Sequence, residues 1–183
     1  AARHAVAEAW ATREVTGLDP ERVLVRVNPA GTADHDADLA MLAGTGWRTL
    51  MLAKAESAAQ VDGVVAALGP QTRVVALCET AAGILAAAEL AAHPHVGALM
   101  WGAEDLVASM GGSSSRTPEG AYRSVVQHAR ATVLLAAAAH GAVIEDVDGN
   151  RFIDFTGGLG VLNAGHTPPS VTRAVKDQVE RYL

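Results

Sequence analysis

The sequence predicts an α/β fold with a parallel sheet made of repeating βα units, followed by a segment of different character. Three observations carry this. Short runs that are apolar throughout, rather than alternating, recur over the first 140 residues, as in Leu50-Met51-Leu52, Val74-Val75-Ala76-Leu77-Cys78 and Val96-Gly97-Ala98-Leu99-Met100-Trp101. Such runs suit strands buried on both faces by helices. Each is separated from the next by a stretch with apolar residues at helical spacing, which gives the order αβαβαβαβ. Near residue 141 this rhythm stops and strand-like alternation with a hairpin turn replaces it.

In order, residues 1–16 read as a helix with Ala and Val on one face, stopped at Gly17. Asp19-Pro20-Glu21 turns the chain into a strand over 23–28, which Pro29 and Gly31 end. A helix with an acidic first turn follows over 34–43, closed by Gly44 and Gly46, and a strand over 47–52 delivers Lys54 and Glu56 to its end. Ser57 is placed to cap a helix over 58–68 that stops at Gly69-Pro70. The strand over 74–78 ends in Glu79-Thr80, a helix over 83–92 halts at His93-Pro94, and the strand over 96–101 runs into Gly102-Ala103-Glu104-Asp105.

The polar loop Gly111-Gly112-Ser113-Ser114-Ser115-Arg116 precedes a long helix over about 119–140, whose charge-free stretch 131–139 predicts a buried Ala/Leu helix. Beyond it, 142–147 and 151–155 form the arms of a hairpin around Asp148-Gly149-Asn150. A glycine-rich stretch over 157–160 leads to an amphipathic helix after Pro168-Pro169-Ser170, with Val171, Val175, Val179 and Tyr182 on one stripe. The change of character predicts a boundary near residue 141, between domains 1–140 and 141–183.

Composition narrows the function. Half of the 183 residues are hydrophobic but only 4% are aromatic, so the core is Ala, Val and Leu, suited to close packing of helix on sheet. A net charge of -6 with no clustered Lys/Arg face argues against a nucleic-acid partner. The one cysteine, Cys78, excludes an intrachain disulfide and a cysteine-rich zinc site. The charged opening segment lacks an apolar signal region and no apolar run is long enough to span a bilayer, so a cytoplasmic location and no membrane partner are expected.

The chemistry collects at the carboxyl ends of the strands, where Arg26, Lys54, Glu79 and Asp105 converge on one rim of a parallel sheet. Two carboxylates with open positions suit Mg²⁺, which takes oxygen ligands and keeps waters and substrate in its shell. An arginine opposite would hold a substrate carboxylate in a bidentate grip. The plainer alternatives are that Glu104 and Asp105 merely favour the first turn of a helix, and that Lys54 forms an exposed ion pair with Glu56. His93-Pro94-His95 falls at the opposite rim and reads as a turn, Cys78 as a small buried hydrophobe, and Trp101 as core. The loop over 111–115 could cradle a phosphate through its backbone N–H groups but fits no P-loop pattern, and Asp146-Val147-Asp148-Gly149 reads as a turn rather than a calcium loop.

Val25-Arg26-Val27-Asn28, Met51-Leu52-Ala53-Lys54-Ala55-Glu56-Ser57, Leu77-Cys78-Glu79-Thr80-Ala81, Met100-Trp101-Gly102-Ala103-Glu104-Asp105-Leu106 and the 111–116 loop together resemble the citrate lyase beta subunit family, with its malyl- and citramalyl-CoA lyase relatives, over about residues 20–140. The resemblance implies a partial TIM (β/α)8 barrel and a Mg²⁺-dependent carbon–carbon lyase that cleaves a 3-hydroxyacyl thioester into an oxo acid and an acyl thioester. It implies Glu79 and Asp105 as metal ligands, Arg26 and Lys54 as catalytic residues, and substrate binding at Arg26, Gly102, Ala103 and Glu104, with pairing as the other role for Glu104. The acyl carrier would be coenzyme A or a carrier protein. Ala53 stands where the family has proline, and about 250 residues are needed for such a barrel. The matched stretch would therefore be an internal part of one, with open sheet edges that predict a homo-oligomer.

The segment from Ala142 through Phe155, with Gly157-Gly158-Leu159-Gly160-Val161 and Asn163-Ala164-Gly165-His166, is similar to the amino-terminal part of class III pyridoxal-phosphate-dependent aminotransferases of the 4-aminobutyrate type. By that likeness it lacks the domain holding the Schiff-base lysine, so pyridoxal phosphate is not expected to bind this chain alone. Two further readings follow, a non-catalytic truncated fusion and an aminotransferase fragment.

Overall fold

β-Branched and leucine-rich runs favour a pleated sheet, and the Ala-rich segments between them supply helix faces to cover it. The computed structural model describes residues 2–20 and 23–141. In chain order these contain α1 (Ala2–Thr16), β1 (Val25–Val27), α2 (Ala33–Ala43), β2 (Thr49–Leu52), α3 (Ala58–Leu68), β3 (Arg73–Cys78), α4 (Ala81–Leu85), α5 (Ala87–Ala92), β4 (Val96–Trp101), α6 (Ala103–Ser109) and α7 (Ser124–Ala139). The strands form one sheet in the order β1-β2-β3-β4, every pair parallel. The α/β class and the parallel βα repeat are thus borne out. The hairpin, the glycine-rich stretch, the Asp146 turn and the final amphipathic helix lie outside the described residues.

Along the sheet, Val25, Val27, Leu50, Leu52, Val74, Ala76, Cys78 and Leu99 pack with Leu42, Val61, Val64, Leu90 and Val133 of the helices into one core. The intervening positions, Arg26, Met51, Val75 and Ala98, are register partners on the other face. Burial on both faces holds for β3 but not for β1, where Arg26 is exposed between two buried valines, nor for β2, which alternates. The helical residues of the core lie against the Val25–Val27 side, so the expectation is corrected for these two strands.

β4 carries one extra residue against β3. Val74 pairs with Val96 but Val75 pairs with Ala98, and Gly97 falls between. A one-residue insertion reverses the faces of everything after it. Here it brings Trp101 opposite Cys78 and Gly102 against Glu79.

Three local expectations are corrected. The helix over 83–92 is two helices, starting at Ala81 because Thr80 accepts a hydrogen bond from Gly83 N at 3.0 Å and caps α4. The long helix starts only at Ser124. Residues before it form a loop in which Gly120 has φ +87, Thr117 N donates to Ala121 O and Arg116 bridges to Tyr122. That helix, α7, buries Val126, Ala129, Val133, Ala136 and Ala137 and leaves Val125 and Leu135 exposed, because only one side meets the core. Ser57 occupies the cap position of α3 without a side-chain cap; Glu89 of α5 accepts the Ala58 N–H instead, at 2.9 Å.

Asp38 ties three elements together. Its Oδ2 accepts from Asn28 N (3.0 Å) and Asn28 Nδ2 (2.7 Å), and its Oδ1 from Arg3 Nε (2.6 Å). His35 Nδ1 donates to Asn28 O at 2.8 Å from the same helix, so the end of β1 is clasped to α2 and α1 is moored to both. Burial alone pushes the Asp38 carboxyl up, but the Asn28 and Arg3 hydrogen bonds outweigh it and hold it below the ordinary aspartate value. A carboxyl lowered on folding stabilises fully above its unfolded value, and that stability is lost as pH falls through the folded value. Asp38→Asn is expected to cost about 2 kcal/mol at neutral pH. In thermal melts, the gap to wild type should close in acid; an equal gap at all pH values would contradict this.

Candidate active site

Parallel strands point their carboxyl ends the same way, so whatever follows β1 to β4 shares one rim. Glu79 directly follows β3, Lys54 lies two residues past β2, and Asp105 sits in the first turn of α6 after β4. Arg26 is in the middle of β1, on its exposed face, and still reaches the rim. All four come together. Arg26 Nη2 donates to Glu79 Oε1 at 3.3 Å, the Lys54 backbone N–H donates to the same oxygen at 3.2 Å, and Lys54 Nζ lies 3.4 Å from Asp105 Oδ1. Lys54 therefore joins both carboxylates, one through its backbone and one through its ammonium.

Glu79 is only 3% exposed. Burial pushes its carboxyl above the ordinary glutamate range and the charge of Asp105 adds to that, while Arg26 and Lys54 act in the opposite direction without cancelling it. Among the described residues, nothing donates to Glu79 Oε2. A Cβ on Gly102 would stand 2.9 Å from Glu79 Cβ and 3.0 Å from that oxygen, so only glycine leaves the carboxylate its present place. Lys54 has φ +50, the sole non-glycine residue with positive φ among those described. A lysine held in the left-handed region costs of order 1 kcal/mol and marks a place where surrounding contacts dictate the backbone.

The oxygen donors suit a hard cation. Among the described residues there is no cluster of three or more His, Cys, Asp or Glu side chains able to hold a metal. A divalent ion here would take Glu79 and Asp105 and complete its shell with water and substrate oxygens, as Mg²⁺ does. The two alternatives for the charges resolve differently. Glu104 and Asp105 do lie in the first turn of a helix, and Lys54 pairs with Asp105 rather than with Glu56.

The neighbouring polar groups are engaged. Glu104 Oε1 accepts from Ser115 Oγ at 2.6 Å, which ties the 111–116 loop to α6, and Glu56 Oε1 accepts from Thr80 Oγ1 at 2.6 Å. The capping role of Thr80 escaped the sequence reading, although a threonine just before an apolar stretch of helical spacing is a helix-start signal. Trp101 packs edge-on against Tyr122, over which Arg116 lies at 3.9 Å. Cys78 is fully buried, and burial, then the Glu79 charge, raises its thiol to about 12, which leaves it inert. His93 and His95 are spoken for by Asp62 and Thr72 O.

Comparison with known proteins shows the family of the chain. Residues 1–153 match the family model of HpcH/HpaI aldolase/citrate lyase. The chain belongs to that family. Among its relatives, the citrate lyase subunit beta-like protein of Mycobacterium tuberculosis is 53% identical over 142 residues, 78% of this chain and 50% of that protein. A (3S)-malyl-CoA thioesterase of Cereibacter sphaeroides is 38% identical over 134 residues, 73% of this chain and 45% of the relative. The chain thus spans about half the length of the curated citrate lyase-type relatives it matches.

Among solved structures, protein CitE from Mycobacterium tuberculosis in complex with magnesium, acetoacetate and coenzyme A matches with a TM-score of 0.68 and 51% identity, covering 78% of this chain and 49% of that one. The citrate lyase beta subunit of the same organism complexed with oxaloacetate and magnesium matches at 0.64 and 56%, covering 69% and 54%. The four βα units are a portion of that fold, as the resemblance implied. Residues 124–183 match the model of aminotransferase class-III, overlapping the first match. A probable 4-aminobutyrate aminotransferase of Bacillus subtilis is 51% identical over 49 residues, 27% of this chain but 11% of that protein. No helix among the described residues is long and apolar enough to cross a membrane.

Proposed function

We propose that this rim is the metal and oxo-acid site of a Mg²⁺-dependent carbon–carbon lyase of the citrate lyase beta type, carried by a chain that changes family near residue 141. The observation that carries the reading is the buried Glu79 carboxylate, with an oxygen no described residue donates to, beside Asp105 at the carboxyl ends of adjacent parallel strands. Relatives solved with magnesium and oxo acids support it. Glu79 and Asp105 would hold the metal, which when bound polarises the oxygen of the oxo acid.

The bond broken joins the hydroxyl-bearing carbon to the carbon next to the thioester carbonyl. The hydroxyl loses its proton as the oxo group forms, and the electron pair stays on the departing acyl carbon until that is protonated. Arg26 and Lys54 serve as positive charges toward the substrate's carboxylate and the oxygen on which charge develops. Gly102, in the connection from β4 to α6, and Ala103 and Glu104, at the start of α6, are proposed to border the substrate. Coenzyme A or a carrier protein is the proposed acyl carrier. The segment past residue 141 is proposed as a separate unit of aminotransferase origin that does not itself hold pyridoxal phosphate.

The test is calorimetric titration of Mg²⁺ with oxaloacetate into wild type and Asp105→Ala. Wild type should bind, and the variant should lose affinity by at least about tenfold, since losing even an outer-shell partner of a metal ligand costs that much. Absence of any metal-linked heat or rise in melting temperature in wild type would leave the non-catalytic fusion as the better reading.

A further inference from the structure

The four charges of the rim balance before any ligand arrives. Arg26 is paired with Glu79 at 3.3 Å and Lys54 with Asp105 at 3.4 Å. Glu56 and Glu104 are turned to the hydroxyls of Thr80 and Ser115, and neither forms an ion pair with a described residue of this quartet. A bare pair of carboxylates would neutralise a dication unaided. This pair is already engaged by Arg26 and Lys54, so a dication entering it must compete with a resident cation for each carboxylate.

We propose that Lys54 is the counter-ion that the metal must displace from Asp105, and that metal and anionic oxo acid consequently load the site together rather than independently. The inference rests on the site reading above and adds how that site is filled. The geometry suits an exchange. The Lys54 backbone is anchored by its N–H to Glu79 and held at φ +50, so the residue stays in place while its ammonium, about half exposed with Asp105, is free to leave. Once displaced, that ammonium is an unpaired donor beside the bound cation, and two adjacent positive groups favour a dianion such as an oxo dicarboxylate over a monoanion. Coupling of this kind is reciprocal: whatever the anion does to metal affinity, the metal does to anion affinity.

The experiment counts free Mn²⁺ by its electron paramagnetic resonance signal during titration of the full chain, alone and with oxalate or acetate, corrected for chelation by the anion. It reads metal affinity without turnover. Wild type should bind Mn²⁺ weakly alone and more tightly with oxalate than with acetate. Lys54→Met leaves the backbone N–H in place and should bind Mn²⁺ about fivefold to tenfold more tightly without anion. It should also show a smaller oxalate effect, while Lys54→Arg keeps the wild-type pattern. Unchanged affinity and unchanged coupling in a folded Lys54→Met would overturn the exchange and leave the site reading standing. Wild type that takes up no Mn²⁺ under any condition would remove the site reading and this inference with it.

Discussion

Gly102→Ala is expected to weaken divalent-cation binding on the order of a hundredfold while leaving the sheet and helices intact. Gly102 has an ordinary extended backbone, φ -125 and ψ 118, so alanine meets no conformational penalty there. What it meets is Glu79, whose Cβ and Oε2 would lie 2.9 and 3.0 Å from the new methyl group. The first of these is anchored directly to the β3 backbone and cannot swing clear. Glu79 must turn away, which breaks its contacts with Arg26 and the Lys54 N–H, or the two strand ends must separate. Either moves the carboxylate by about an ångström, enough to cost on the order of a hundredfold at a site that depends on placement. Mn²⁺ titration would show that loss with the far-ultraviolet circular dichroism unchanged. Wild-type affinity in the variant would mean that Glu79 is not a ligand in its present position.

Gly83→Ala should be the most destabilising of the small substitutions considered. In α4 a Cβ at this position would lie 2.5 Å from the carbonyl oxygen of Ala55 and 3.3 Å from Thr80 Oγ1. Ala55 is backbone in the connection from β2 to α3, and its N–H is bonded to Leu77 O at 3.0 Å, so it has little room to retreat. Relief requires α4 to lift, which loosens the Thr80 cap and the Thr80–Glu56 hydrogen bond together. Overpacking of this sort costs about 3 kcal/mol, a fall in melting temperature of about 10 °C for a chain of this size. Calorimetry would read it, with Gly63→Ala as the control, since nothing stands within 4 Å of a Cβ there. A shift no larger than that of the control would show that the β2–α3 connection yields more easily than its hydrogen bonding implies. Because Thr80 adjoins Glu79, a drop in cation affinity should accompany the loss of stability.

The two glycines show how the rim depends on close approach between separate βα units. Glu79 is ordered by Gly102 from the next unit and by Lys54 from the preceding one, and Thr80 by Glu56. The site and the stability of the sheet ends share these contacts, so weakening either weakens both.

Much of this was legible in the chain itself. Apolar runs without alternation, each followed by charge, determined that the strands are parallel and that Lys54, Glu79 and Asp105 share a rim, because parallel strands joined through helices must end on the same side. The strand over 96–101 and the helix over 58–68 are where periodicity placed them. What the tertiary structure alone decided is which charge meets which. Lys54 bonds both carboxylates instead of pairing with Glu56, Glu89 caps α3 in place of Ser57, and the extra residue at Gly97 sets the phase that brings Gly102 against Glu79. Periodicity reports the local backbone. These pairings depend on distances between units tens of residues apart, which only the packing of helices on the sheet determines.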